Sequence, residues 1–134
     1  MVLYSAADLV WATRIKSLAD DLGVPCRPAR NASMLRDRLG DSDVRALLID
    51  LEAPDRAFEL LGLLRGEEAG DRERSVKVIA WGPHVAVDLL AQARDRGADE
   101  VLTRGAFSNG LPDLLVRLEG GGAPGPGATS PSTP

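Results

Sequence analysis

The sequence has very little of what several common kinds of site require. It contains one cysteine, Cys26, and one histidine, His84. A single cysteine excludes an internal disulfide and a zinc site built from several cysteines. A single histidine has no second histidine or cysteine with which to share a metal. Because Cys26 lies in a short apolar segment, we expect a buried structural thiol rather than a nucleophile.

The chain also lacks an excess of positive charge and any long apolar run. Its formal net charge is −4, and its arginines mostly alternate with acidic residues, as in residues 71–74. This argues against a dedicated nucleic-acid binder. No apolar run approaches the roughly 20 residues that span a bilayer, and no basic region precedes a signal-type apolar stretch. We therefore expect a cytoplasmic protein that binds neither nucleic acid nor membrane.

Two regions of the chain differ in composition. Residues 1–119 carry periodic apolar patterns, and the whole chain of 134 residues is 44% hydrophobic and 27% charged. That is enough for one domain with a hydrophobic core. From Gly120 the sequence reads GGGAPGPGATSPSTP, which has no large apolar residue to offset its ordering entropy. We predict one domain over residues 1–119 and a flexible Gly/Pro/Ser-rich tail over residues 120–134.

The first region alternates strand and helix signals five times. The strongest strand signal is the nearly continuous apolar run 44–50, which is typical of a strand buried on both faces. Short right-handed crossovers between such strands favour a parallel sheet with helices on both faces. The other predicted strands cover residues 2–5, 24–27, 76–81 and 100–103.

The ends of the predicted helices are marked by capping residues. Asp8 and Asn31 are the expected N-caps of the first two helices, which Gly23 and Gly40 are expected to end. The last helix is predicted from about residue 111 to residue 118, with Ser108 or Asn109 near its cap. No GxGxxG or Walker A sequence follows any strand, so the common nucleotide-binding loops are absent.

Asp50 is the residue that most strongly indicates a site. It ends the apolar run of the third predicted strand. An ionised carboxylate is costly to bury without partners, so Asp50 is expected where this strand emerges into a cleft. In open α/β sheets, ligands bind in the crevice outside the carboxyl ends of the strands.

Two segments are similar to motifs of bacterial response-regulator receiver domains. Residues 48–54, LIDLEAP, resemble the phosphoacceptor strand of that family and its following loop, which ends in proline. Residues 97–104, GADEVLTR, resemble the stretch that leads into the strand ending in an invariant lysine. The resemblance covers nearly all of the first region. It implies an α/β, flavodoxin-like (βα)5 three-layer sandwich whose five parallel strands have the order 2-1-3-4-5.

The resemblance also assigns positions to the groups of the receiver reaction. Asp50 falls on the phosphoacceptor, whereas the acidic pair that holds Mg²⁺ falls on Ala6 and Ala7. The hydroxyl position falls on Gly82 and the lysine on Arg104. Alanine cannot coordinate Mg²⁺, and arginine is not equivalent to lysine. The resemblance therefore implies a degenerate receiver, or pseudo-receiver, in which an Asp50–Arg104 ion pair closes the site.

Four residues keep more than one interpretation at this point. Asp50 is either a phosphoacceptor or a carboxylate that pairs with Arg104 or caps the following loop. Asp8 is either a surviving metal ligand or a plain helix cap. Trp81 at the end of the fourth strand is either a core residue or an exposed interaction anchor. His84, in the turn that follows, is a weak candidate for a proton carrier.

Three functions follow, in decreasing order of preference. The first is a non-catalytic, phosphorylation-independent interaction module in bacterial two-component signalling, with no cofactor. Its protein partner or second copy would bind the face formed by the fourth predicted helix, the fifth strand and the fifth helix. The second is an atypical receiver phosphorylated on Asp50, with Mg²⁺ held by Asp8 and Asp50. The third is a small-anion binder at the crevice. The residues expected at the interaction face are Arg94, Arg96, Arg104 and Phe107, and those at the crevice are Asp50, Gly82, His84 and Arg104.

Overall fold

The structure, a computed structural model, describes residues 1–120, so all of the predicted tail except Gly120 lies outside the described residues. Five strands alternate with helices along the chain. The strands are β1 (Val2–Ser5), β2 (Cys26–Pro28), β3 (Ala46–Asp50), β4 (Lys77–Gly82) and β5 (Glu100–Thr103). The helices are α1 (Leu9–Leu22), α2 (Ala32–Asp41), α3 (Pro54–Arg65), α4 (Asp71–Arg74), α5 (Val87–Asp95) and α6 (Arg104–Glu119).

The strands form one parallel sheet in the order β2-β1-β3-β4-β5, which confirms the predicted fold and strand order. β3 lies at the centre and all five of its residues are buried. Asp50 pairs with Trp81 in register, and Gly82 pairs with Thr103. The loops after β1, β3, β4 and β5 therefore meet at one edge of the sheet, which we call the carboxyl edge.

Each face of the sheet packs against helices to form a separate part of the core. One cluster joins apolar side chains of the sheet to α1 and α6, for example Ile15 and Leu115. The other joins the opposite face to α2, α3 and α5, for example Leu35 and Leu61. This double coverage explains the continuous apolar run of β3, since neither of its faces meets water. None of the described helices is both long and apolar enough to span a bilayer.

Three aromatic side chains form the centre of the first cluster. The rings of Trp81 and Phe107 are stacked, with centroids 4.2 Å apart and planes within 2° of each other. Trp11 contacts both rings at centroid distances of 5.6 Å and 5.5 Å. Only 1% of the surface of Trp81 is exposed, so the interpretation of Trp81 as an exposed interaction anchor is wrong. Its indole N–H has no acceptor within the described residues.

The predicted caps are in place at the first two helices. The carboxylate of Asp8 accepts a hydrogen bond from the amide of Trp11 at 2.8 Å, and Asn31 caps α2 in the same way. Gly23 ends α1 at a φ of 72°, a conformation that favours glycine. Gly40, in contrast, lies inside α2, which ends one residue later. β2 is shifted to residues 26–28, and the short helix α4 was not predicted.

The start of the last helix differs most from the prediction. α6 begins at Arg104, seven residues before the predicted start, and Thr103 caps it through the amide of Ala106. The predicted caps Ser108 and Asn109 lie inside the helix. Poor helix formers fill this part of the sequence, and local propensity argues against a helix there. Tertiary packing of Phe107 outweighs that propensity.

The guanidinium of Arg65 fixes the opposite edge of the sheet. It donates hydrogen bonds to the carbonyls of Gly97 and Val76 at 3.0 Å and 2.7 Å. It also pairs with the carboxylate of Asp99 at 2.9 Å. The same Asp99 oxygen accepts the amide of Val78 at 2.8 Å. The largely buried guanidinium of Arg65 therefore connects the end of α3 to β4 and to the turn that precedes β5.

Candidate functional site

Asp50 lies at the end of β3, and only 2% of its surface is exposed. One carboxylate oxygen accepts the backbone amide of Ala7 at 2.8 Å, and the other accepts the amide of Glu52 at 3.0 Å. The side chain therefore connects the loop after β1 to the loop after β3. Both oxygens of the predicted phosphoacceptor have partners from the protein backbone.

The sequence led us to expect an ion pair between Arg104 and Asp50, but the structure does not contain it. Arg104 donates instead to the carboxylate of Glu52, and both side chains are about half exposed. Arg104 opens α6 while Glu52 lies two residues beyond Asp50, so this ion pair joins the loops after β3 and β5. Exposed ion pairs contribute little stability, so the main effect of this pair is to keep the two loops close together.

Arg56, a residue that sequence analysis did not single out, binds the loop after β1. From the first turn of α3 it donates to the carbonyl of Ala6 at 3.2 Å. The loop after β1 is thus bound twice, through the Ala6 carbonyl and through the Ala7 amide. No sequence signal marks Arg56, because one arginine on a surface helix has many possible partners.

Burial raises the pKa of Asp50 above its ordinary value of 3.8. The two backbone amides from Ala7 and Glu52 lower the pKa in part, while the nearby charges of Glu52 and Asp8 raise it further. No arginine is within 4.0 Å of this carboxylate in the described residues. The net effect is a carboxylate whose charge is poorly compensated where it lies.

This raised pKa predicts a specific dependence of stability on pH. The folded protein binds the Asp50 proton more tightly than the unfolded chain does. Protonated Asp50 therefore adds to the free energy of unfolding below pH 3.8, and this stabilisation is lost as the pH rises through the pKa of the folded state. Compared with Asp50→Asn, which cannot titrate, the wild type should therefore lose stability as the pH rises from about 3 to about 7. Urea unfolding of both proteins across this range measures the difference. A difference that grows with pH in favour of the wild type would show that the pKa is lowered.

The described residues do not fit the receiver's Mg²⁺ site. Ala6 and Ala7 replace the acidic pair and offer no side-chain oxygen. Asp8 uses a carboxylate oxygen to cap α1 at Trp11, in agreement with the helix-cap interpretation. No group of three or more His, Cys, Asp and Glu side chains within residues 1–120 could hold a metal ion. A divalent cation prefers several oxygen ligands, and Asp50 alone cannot supply them.

Gly82 and His84 follow β4 at the same edge but contribute no phosphate-binding group. Gly82 is buried, and a Cβ added to it would lie 3.2 Å from the Cβ of Leu51 and 3.8 Å from Leu90. Gly82 therefore offers no hydroxyl, and any side chain at this position would contact Leu51 and Leu90. His84 is exposed in the turn after β4. Neither of the two best-formed cavities in the described residues is lined by the crevice residues predicted to bind a small anion.

Exposed apolar side chains lie beside the charged ones at the carboxyl edge. Six large apolar residues of the described chain are exposed, and four of them lie in the loops or first helical turns at this edge. The four exposed residues are Leu9, Val10, Val85 and Val87.

Phe107, which was predicted to contribute to the interaction face, is fully buried, so that part of the prediction is wrong.

Comparison with known proteins shows a shared fold. No protein-family model matches the chain, and no curated protein matches it. The solved structures that resemble it include a response-regulator receiver domain from Bermanella marisrubri, with a TM-score of 0.68 and 19% identity. That match covers 87% of this chain and 95% of the Bermanella chain.

Two further solved structures have the same architecture. The isolated receiver domain of RcsB from Salmonella enterica, in the apo form, matches with a TM-score of 0.65 and 16% identity, over 90% of this chain and 88% of its own. The receiver domain of a sensor histidine kinase from Pseudomonas aeruginosa, with magnesium in its active-site cleft, matches with a TM-score of 0.68 and 18% identity. That alignment covers 89% of this chain and 96% of the Pseudomonas chain. At such identities the likeness extends to the receiver fold, and function depends on the residues themselves.

Proposed function

We propose that this chain is a phosphorylation-independent protein-interaction module of bacterial signalling, with the receiver fold but without receiver chemistry. The observation that carries this proposal is the state of Asp50. Both of its oxygens accept backbone amides, and the two positions that would supply its metal partners are Ala6 and Ala7. The likeness to bacterial receiver domains supports the signalling context.

The physical reason lies in the charge that phosphoryl transfer develops. Attack by a carboxylate brings two anions together, and a metal ion and fixed cations normally neutralise them. Here Arg104 pairs with Glu52 and Arg56 donates to the carbonyl of Ala6, and neither arginine pairs with Asp50. A phosphoryl donor would meet a buried carboxylate with little charge compensation, which supports the proposal of a module without enzymatic activity or cofactor.

The partner, a protein or a second copy of the chain, is proposed to bind the face made by α5, β5 and α6. These are the fourth and fifth helices of the sequence prediction, renumbered because α4 precedes them. Arg94 is exposed there, whereas Arg96, also expected at this face, lies over the ring of Phe58 on α3 at 4.2 Å. The exposed Val85 and Val87 adjoin the first turn of α5, so they extend this face with an apolar border.

Incubation with acetyl phosphate and Mg²⁺, followed by intact-mass measurement, tests the proposal. We expect no phosphoryl adduct on the wild type, and no difference from the control variant Asp50→Asn. We also expect Asp50→Asn to leave partner binding unchanged, because the partner does not recognise a phosphorylated state. A phosphoryl mass increment on the wild type that is absent from the variant would instead establish an atypical receiver.

A further inference from the structure

The first two turns of α6, residues 104–110, are the least helix-favouring part of any long helix in the described chain. We call them the latch segment. They contain two glycines, a serine and an asparagine, and Pro112 lies two residues beyond the segment. Each glycine in a helix interior is unfavourable relative to alanine. Pro112 has no N–H to donate to the carbonyl of Ser108, so one helical hydrogen bond is also missing.

One side chain holds the latch segment against the domain. Phe107 is its only buried residue, and its ring is stacked on Trp81. The other attachments are the Thr103 cap at 3.2 Å and the exposed ion pair of Arg104. The second half of α6 is different, because it buries four leucines: Leu111, Leu114, Leu115 and Leu118.

Trp81, on which the Phe107 ring of the latch segment stacks, also carries a buried polar group without a partner in the described residues. The indole N–H of Trp81 is buried and has no acceptor within residues 1–120. A buried donor without a partner lowers the stability of the state that buries it. Withdrawal of the stacked Phe107 ring would let water approach this part of Trp81. Weak helix propensity and an unsatisfied donor therefore favour the same local opening.

We propose that the latch segment opens by local unfolding while residues 111–119 stay docked on the sheet. Opening removes Phe107 from Trp81 and separates Arg104 from Glu52 on the loop after β3. The segment thus connects a two-state element on α6 to the loop that Asp50 caps. A partner that binds one state better than the other shifts the population of both regions. The inference does not depend on whether Asp50 is phosphorylated.

Residue-resolved amide hydrogen exchange on the full chain tests this inference. The amides of Ser108, Asn109 and Gly110 occupy helical positions, and we expect them to exchange at least about tenfold faster than those of residues 114–118. The double variant Gly105→Ala/Gly110→Ala should slow these three amides by about four- to fivefold for each substitution. Both alanines fit, since a Cβ at either position meets no atom within 4 Å.

Gly62→Ala is the matched control, because Gly62 is also helical, exposed and free of neighbours within 4 Å of a Cβ. It lies in α3 and should leave the latch amides unchanged. Acrylamide quenching is a second readout, since both tryptophans of the chain belong to the aromatic cluster. It should fall in the double variant and not in Gly62→Ala. Equal protection of both halves of α6, or equal slowing by Gly62→Ala, would overturn the proposal.

Discussion

Replacement of Trp81 by alanine is expected to lower the free energy of unfolding by about 3–5 kcal/mol. Trp81 is a buried residue on β4, next to the central strand, and it contacts both Trp11 and Phe107. Removal of the indole takes away this packing and leaves a cavity between the sheet and helices α1 and α6. Since domains of this size are stable by about 5–15 kcal/mol, the loss is a large share of the total. Urea denaturation followed by circular dichroism measures it.

Trp81→Phe is the conservative control for this change. It keeps an aromatic ring against Phe107 and removes the donor that has no acceptor, so its effect should stay below about 1.5 kcal/mol. Leu9→Ala, at a residue with 79% of its surface exposed, should change stability by less than about 0.5 kcal/mol. If Trp81→Ala cost no more than Leu9→Ala, Trp81 would have to lie at the surface and the described core would be wrong.

Arg65→Ala is the second change with a large expected effect, about 3 kcal/mol of destabilisation, mostly from carbonyls that lose their donor. The substitution removes the donors to the carbonyls of Gly97 and Val76 and leaves Asp99 without its cation. The arginine side chain is only 14% exposed, so water replaces these contacts poorly. The cost therefore comes mainly from buried groups that are left without partners.

Arg65→Lys and Lys16→Ala are the controls for this prediction. Lysine keeps the charge but cannot reproduce the planar fork, so we expect Arg65→Lys to recover only part of the loss. Lys16 forms an exposed ion pair with Asp20, and its removal should cost less than about 0.5 kcal/mol. Thermal or urea unfolding of the three variants compares them directly. Equal, small effects of Arg65→Ala and Lys16→Ala would show that the network contributes little.

The fold could be predicted because several independent signals agree on it. The apolar run of β3, the alternation of strands with short helices, and the caps Asp8, Asn31 and Gly23 all specify one parallel sheet. The start of α6 could not be predicted, since its composition argues for a loop and only the stack of Phe107 on Trp81 makes it helical. That contact joins residues far apart in sequence.

The sequence predicts where the site lies but not which groups contact one another within it. The position of Asp50 at the end of a buried strand follows from the apolar pattern alone. The hydrogen-bond partners of Asp50 do not follow from this pattern, because two of them are backbone amides, which every residue but proline carries. Arg104 could reach either Asp50 or Glu52 from the end of β5, and only the three-dimensional arrangement selects Glu52.

The leucine packing around Gly82 has a consequence for protein engineering. A designer who wanted a working Mg²⁺-dependent phosphoacceptor here would replace Ala6, Ala7 and Gly82 by aspartates and a threonine. Ala7 is exposed and Ala6 is partly buried, whereas the third change adds a Cβ 3.2 Å from that of Leu51. Leu51 is fully buried and cannot move aside freely. Position 82 is therefore the most constrained of the three, because Leu51 has to shift by a few tenths of an ångström before a residue with a hydroxyl fits there.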